Sequence, residues 1–508
     1  MNKYASMEEI ESSIACIFEL SVNSSETLDR LMAANDGTGT ARIAELMTAY
    51  EHSVIIRDNG CALLAGIYVR VPFQGELNQR SRIELNSKSL TVYTHSVDEM
   101  NALRACLRTQ KTEQKVVARA ALAMSNFFSG SLTDLNLETS LEMRSIFAGT
   151  LKEFVNVMGC HEEDMELQTN CLRCIRIVLY AAEDMELKRW GSHIVERITC
   201  AMKNFKICSE LQLNACLALL IFIDGIEDQM ALSRIGRVDG ITVLLGNLCS
   251  DNEDVVDATS ELIAVVSRKL FTAVSDIMLV DDSICDIVNC MFRFADSSRI
   301  QAHCSCILWS LATLHEPFVK GVIVTTGGLD AILTGMRIHR RNEIVQEYGC
   351  KALDACFPAM RRGWMDQTRN DLATLVHRTL GMNGMNDEIK TSAMKFATKL
   401  CGNDDFFKEV FSDPACINFV VVAMNSHICN QDLQMAGITI LWVLSSFGNN
   451  KYIIGEIGGL RVMVNALLGH IIDKQLQVDV MKVLKNLATT TENKRKIREV
   501  QGETASVC

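Results

Sequence analysis

Residues 451–488, KYIIGEIGGLRVMVNALLGHIIDKQLQVDVMKVLKNLA, hold one complete copy of a unit that recurs along the chain. Lys451–Ile457 reads as a short helix, and Gly458-Gly459 as a break. Two adjacent glycines end one helix and open the next through a backbone conformation that other residues tolerate poorly. Leu460–Leu468 then reads as a second helix, and Gln475–Ala488 as a third. In the third, apolar residues at Leu476, Val480 and Leu484 fall four apart, which is one face of a helix. Asn493–Val500 starts a further, capping helix.

The Leu476-Gln477 pair at the head of the third helix is the marker that repeats. It recurs as Leu167-Gln168, Leu211-Gln212, Ile300-Gln301, Val345-Gln346 and Leu433-Gln434. The steps are 44, 89, 45, 88 and 43 residues, so the two long ones are double steps and the period is about 44. Four residues after the aliphatic member stands a small residue in most units: Cys171, Ala215, Cys304, Gly349, Gly437. A small residue there lets a neighbouring helix come close. A second anchor opens the preceding helix at Gly240-Ile241, Ser283-Ile284, Gly328-Leu329, Asp371-Leu372, Cys416-Ile417 and Gly459-Leu460, with steps of 43 to 45. Two anchors with one period predict an all-α stack of repeats.

These residues resemble the armadillo repeat superfamily, a three-helix unit within the roughly 40–47-residue class of helical repeats. The resemblance rests on Gly458-Gly459-Leu460, on Leu476-Gln477 and on Val483-Leu484-Lys485-Asn486-Leu487-Ala488. Residues 116–126, VVARAALAMSN, are similar to the family's third helix. Ile56-Arg57-Asp58-Asn59-Gly60-Cys61 echoes Val345-Gln346-Glu347-Tyr348-Gly349-Cys350. The expected fold is a right-handed α-solenoid of about ten three-helix repeats. Residues 1–160 are expected as irregular repeats with loop insertions near 72–88 and 129–138, residues 161–502 as regular repeats, and 503–508 as a short tail.

Composition agrees with helix and narrows the function. Pro is 4 in 508 and Gly 29, while apolar residues are 48%. The 50 Lys and Arg stand against 62 Asp and Glu, a net charge of −12, which argues against nucleic acid as partner. The longest apolar runs, Ala215–Ile223 and Ile417–Met424, are far short of the roughly 20 residues of a membrane span, so no membrane insertion is expected. The start, Met1-Asn2-Lys3-Tyr4, does not read as a signal peptide. Most of the 20 cysteines sit inside apolar helical stretches, among them Cys106, Cys171, Cys174, Cys216, Cys304, Cys306 and Cys350. That is the habit of free, buried thiols in a reducing compartment, the cytoplasm and also the nucleus.

Catalytic constellations are missing from the sequence. There is no Gly-rich phosphate loop, no His-Glu-x-x-His and no Gly-x-Ser-x-Gly elbow. Cys171-x-x-Cys174 and Cys304-x-Cys306 lack a second pair at zinc-finger spacing. No catalytic residue, cofactor or metal is expected, and the chain is read as a non-enzymatic scaffold or adaptor.

The resemblance implies that third helices line a concave groove holding an extended or helical protein segment. In the family, an Asn ten residues after the aliphatic start and a Trp four residues before it often form a ladder. Here the Asn place is held by Asn126 and Asn486, but by Ile177, Ile221, Ser310, Ala355 and Val443 elsewhere. The Trp place is never Trp; Arg173, Lys351 and Lys482 are among its occupants. Trp309 and Trp442 stand one residue before the Asn place, in units three apart. The expected groove is therefore Asn126, Arg173, Trp309, Lys351, Trp442, Lys482 and Asn486. Residues 337–378 carry eight Arg and Lys against five acids, which suggests an acidic partner. Two other functions fit the same array: a nuclear transport receptor of the import-adaptor kind, or an exchange factor or co-chaperone acting on a GTPase or chaperone.

Overall fold

In the computed structural model the described residues are 6–23, 39–69, 98–108, 113–131, 141–181, 184–225, 238–269, 282–314, 317–360, 362–382 and 386–505. Among them every regular element is a helix and no strand occurs. The chain divides into two compact units, Met1–Leu262 and Ile263–Cys508. In each, the third helices of successive repeats pack directly on one another. In the first unit this row runs Met7–Asn23, Val54–Val69, Gln114–Ser131, Met165–Ala181 and Ser209–Gly225. In the second it runs Ser298–Leu314, Glu343–Cys356, Asp387–Asn403, Gln431–Ser445 and Lys474–Leu487. The fold is an all-α solenoid of repeats.

The copy at 451–488 forms as its sequence implies. Its helices are Asn450–Glu456, Gly459–Gly469 and Lys474–Leu487, followed by Thr491–Ala505. The apolar stripe is the buried face: Leu476 and Val480 are fully enclosed, as are Ile300, Cys304 and Leu308, or Leu433 and Leu441. Burying each large aliphatic side chain contributes about 1.5–3 kcal/mol. The small residue four positions on faces the second helix of its own repeat. A Cβ on Gly349 would lie 2.4 Å from the Met336 sulfur, and one on Gly437 2.4 Å from that of Met424.

The repeated glutamine has a structural task. In six repeats its Nε2 donates to two carbonyls, ten and seven residues back, at the end of the second helix. Gln346 donates to Met336 O (2.9 Å) and His339 O (3.1 Å). Gln168, Gln212, Gln301, Gln434 and Gln477 repeat the pattern. A helix leaves its last carbonyls without an intrahelical partner; the carboxamide satisfies the one ten residues back and adds a second bond to the turn carbonyl seven back, which also accepts a backbone N–H, as His339 O does from Asn342. Four residues before the glutamine place stands an Asx that caps the third helix. Asn342, Asn386, Asn430 and Asp473 accept from the N–H groups of Val345, Ile389, Leu433 and Leu476.

The double glycines behave as expected. Gly327 and Gly458 have φ of 84° and 85°, and the flanking helices bend by 65° and 70°. Asp282, with φ 59°, takes this place one repeat before Gly327. The second glycine is under the tighter constraint. A Cβ on Gly459 would sit 2.8 Å from Ile454 O and 2.5 Å from Ile454 Cγ2, whereas one on Gly458 meets nothing within 4 Å. Gly458→Asn is therefore expected to cost under about 1 kcal/mol, because Asn visits the left-handed region. Gly459→Ala is expected to cost about 2 kcal/mol, because a backbone carbonyl must move. Urea denaturation of the two variants gives the order; the reverse ranking would refute this account of the bend.

The structure corrects one anchor. No helix begins at Asp371-Leu372; a single helix runs unbroken over Arg362–Gly381. The two residues before Leu372, Asn370 and Asp371, are not a glycine pair, so nothing forces the backbone out of the helical region. The insertion assigned to 72–88 lies outside the described residues. Of 129–138, the first three residues continue the helix Gln114–Ser131 and the rest lie outside them.

Candidate partner-binding face

One turn around from the buried stripe, each third helix presents side chains to solvent. In the second unit these build an aromatic and charged cluster. The Trp309 and Tyr348 rings lie 5.9 Å apart, tilted by 40°. Lys351 Nζ stands 5.2 Å from the Trp309 ring centre and 5.4 Å from that of Tyr348. The same ammonium pairs with Glu347 (2.5 Å) and Glu388 (3.1 Å). From the other side, Arg268 donates to the Tyr348 hydroxyl at 3.0 Å. Four successive third helices are thus tied together across one exposed face.

The electrostatics keep this cluster charged. Burial works against the Lys351 charge, but hydrogen bonds and attraction from Glu347 and Glu388 outweigh it and hold its pKa above the usual lysine value. The hydrogen bond from Lys351, with its charge, pulls the Glu388 carboxyl down. His303 nearby is pushed down to about 4 by burial, with Arg299 and Arg268 adding to it, so it is neutral at physiological pH.

Further along, Trp442 is 51% exposed. Its carbonyl accepts from Ser445 Oγ (2.6 Å), which in turn accepts from Asn486 Nδ2 (2.7 Å). Lys482 pairs with Asp479 at 2.9 Å. In the first unit, Asn126 Nδ2 donates to Ala65 O at 3.0 Å. Arg173 contacts Asn170 Oδ1 at 3.3 Å and forms an ion pair with Glu210. The structure therefore brings Trp309 and Lys351 into contact and links Trp442 to Asn486. Asn126 and Arg173 belong to the other unit. Of the basic stretch, Arg337 and Arg369 pair with Asp371 (3.5 Å) and Asp404 (2.8 Å), and Arg361 lies outside the described residues.

Tyr348, Arg268 and Glu388 were missed by sequence reasoning. The signal for Tyr348 exists: it stands two residues after Gln346, where one third helix reaches the Trp309 position of the one before it. The buried Cys171, Cys174 and Cys306 are poor nucleophiles or metal ligands. Burial pushes the Cys171 and Cys174 thiols far up, and pushes Cys306 up to about 11. A zinc ligand or nucleophile must be thiolate.

No family model and no curated protein matches the chain. Solved structures do. One comes from work on a phosphorylation switch that controls the interaction between cadherin and beta-catenin. It is 13% identical, covers 96% of this chain and 92% of its own, and has a TM-score of 0.68. An engineered protein is 17% identical over 89% of this chain and 99% of its own, with a TM-score of 0.62. At such identities the likeness establishes the armadillo-like helical-repeat fold.

Proposed function

We propose that the chain is a non-enzymatic interaction scaffold of the cytoplasm that holds a segment of a partner protein along its third helices. The observation that carries this is Trp442, left half in water at the third-helix position that Trp309 also occupies. Solvating a large indole is costly, and Trp is enriched where partners bind. The Trp309–Tyr348–Lys351 cluster supplies a second rigid anchor on the same kind of face. The cadherin and beta-catenin likeness supports a protein partner without naming one. An import-adaptor role would require Asn126 and Asn486 to release Ala65 and Ser445, which they already bond.

Site-specific photo-crosslinking in the native cell tests the reading. A crosslinker at Trp442 should give one discrete adduct, reduced by Trp309→Ala. One at Val422, exposed on the second helix Pro414–Ser426, should give none. Adducts at Val422 with none at Trp442 would place binding elsewhere.

A further inference from the structure

The outer side of the third helix Lys474–Leu487 breaks the burial rule of the array. The fifth residue after the aliphatic start is Ser305, Cys350, Met394 and Ile438 in the preceding repeats of the second unit, each at most 1% exposed. At Lys474–Leu487 the same position is Met481, and it is 58% exposed. Elsewhere the third helix of the next repeat covers it. The first-helix place beyond this repeat is filled by Thr491–Ala505. There Asn493 Nδ2 donates to Leu487 O six residues back (3.0 Å), as Asn450 does to Leu444 O (3.0 Å). Among the described residues none occupies the place of the next third helix. It is a groove of about 830 Å³ lined by Val464, Leu467, Leu468, Val478, Met481 and Ile497.

The rim is basic. Lys485 lines the groove, beside Lys482, which pairs with Asp479. Lys494 stands one turn before Ile497 on the same helix. Lys485, Lys494 and the nearby Arg498 make no ion pair among the described residues. Two copies of this face would bring like charges together, which disfavours a second copy as occupant.

We propose that this groove binds an amphipathic helix of a partner protein, apolar on one side and acidic on the flanks, in the register that a further third helix would take. At the length of Lys474–Leu487, 14 residues, such a helix spans ~21 Å. The groove shares Lys482 with the Trp442 face, but its variants at Met481, Lys485 and Lys494 leave Trp309 and Trp442 in place, so the two readings fail separately.

The probe is a capped amphipathic peptide of about 14 residues, with Leu at i, i+3, i+4 and i+7 and Glu at the flanks. It is titrated by fluorescence anisotropy against the full chain, beside the same peptide with Lys in place of Glu. The acidic peptide should bind saturably, weaken as salt rises, and outbind the Lys version. Met481→Glu and the double variant Lys485→Glu/Lys494→Glu should each weaken it at least tenfold, while Val422→Glu should not. These positions are exposed, so unchanged circular dichroism confirms folding. No saturation below about 1 mM overturns the proposal. Equal affinity for Met481→Glu does so too. A concentration-dependent dimer, seen by sedimentation and dissolved by Met481→Glu, would assign the groove to a second copy instead.

Discussion

Gln212→Leu is expected to lower the stability of the first unit by about 3 kcal/mol. The side chain is 1% exposed. Its Nε2 lies 2.8 Å from Met202 O and 3.1 Å from Phe205 O, and its Oε1 accepts from Asn247 Nδ2 at 2.8 Å. Leucine keeps most of the volume and takes the partner from Met202 O and from the Asn247 amide in an apolar interior, while Phe205 O keeps the N–H of Cys208 at 3.1 Å. Each orphan costs about 1–3 kcal/mol, reduced where the chain relaxes. Gln212→Glu adds a pH signature. A carboxylate has no donor and would face two carbonyl oxygens, so its folded pKa would rise above the unfolded value of about 4.3. Below about pH 4.3 both states carry the proton and the variant is at its best. As pH climbs from there to the raised folded value, the unfolded state ionises first and stability falls. The Glu variant should therefore be weaker at pH 7 than at pH 4. Urea melts at both pH values, with hydrogen exchange in the helix Asp184–Asn204, test this. A loss under about 0.5 kcal/mol for Gln212→Leu would show that the carboxamide is only a register mark.

That glutamine also shows how far the sequence could be read. Its period gave the repeat and the class of fold. Its role was hidden, because the two carbonyls lie across the loop between second and third helices, and no periodicity shows where a side chain folds back. The Asx cap was legible in principle: Asn342, Asn430 and Asp473 stand four residues before Gln346, Gln434 and Gln477, and cap spacing is local chemistry. It also marks the repeats where the glutamine is replaced, by Val256 after Asn252 and by Lys390 after Asn386. Asp371-Leu372 misled because an apolar start looks alike inside a helix and at its head. On the exposed face, the positions of Trp309 and Lys351 could be read from the helix. Their closure by Tyr348, Arg268 and Glu388 could not, since contacts between repeats depend on how successive third helices cross.

The exposed face and the buried ladder divide the labour of each third helix. The glutamine, its cap and the apolar stripe fix the helix against its own repeat, which leaves the outward positions free to vary. Trp309, Asp354, Thr398 and Trp442 share one place in four successive repeats with four different chemistries. The proposed scaffold role would use that separation, because a rigid array can then be fitted to a partner without touching the residues that hold it together.

Arg57 tests the limit of that separation, because here an ion pair has replaced the ladder. It occupies the glutamine place in Ile56-Arg57-Asp58-Asn59-Gly60-Cys61, and it is 5% exposed. Its guanidinium pairs with Glu113 at 2.5 Å, a residue at the cap place of the next third helix, Gln114–Ser131. Removing one partner of a buried pair leaves a charge without compensation and costs about 3–5 kcal/mol. Arg57→Gln alone should therefore destabilise by about 3 kcal/mol, although it restores the residue found elsewhere in the array. Glu113→Asn alone should do the same, although it restores the usual cap. Together they install the common glutamine and the common Asx in one step, and the double variant should recover most of the loss. A double-mutant cycle by urea denaturation measures it, and a coupling energy of about 2 kcal/mol or more is expected. Two single losses that simply add would mean that Arg57 and Glu113 act separately, and that the first unit keeps the ladder by other contacts.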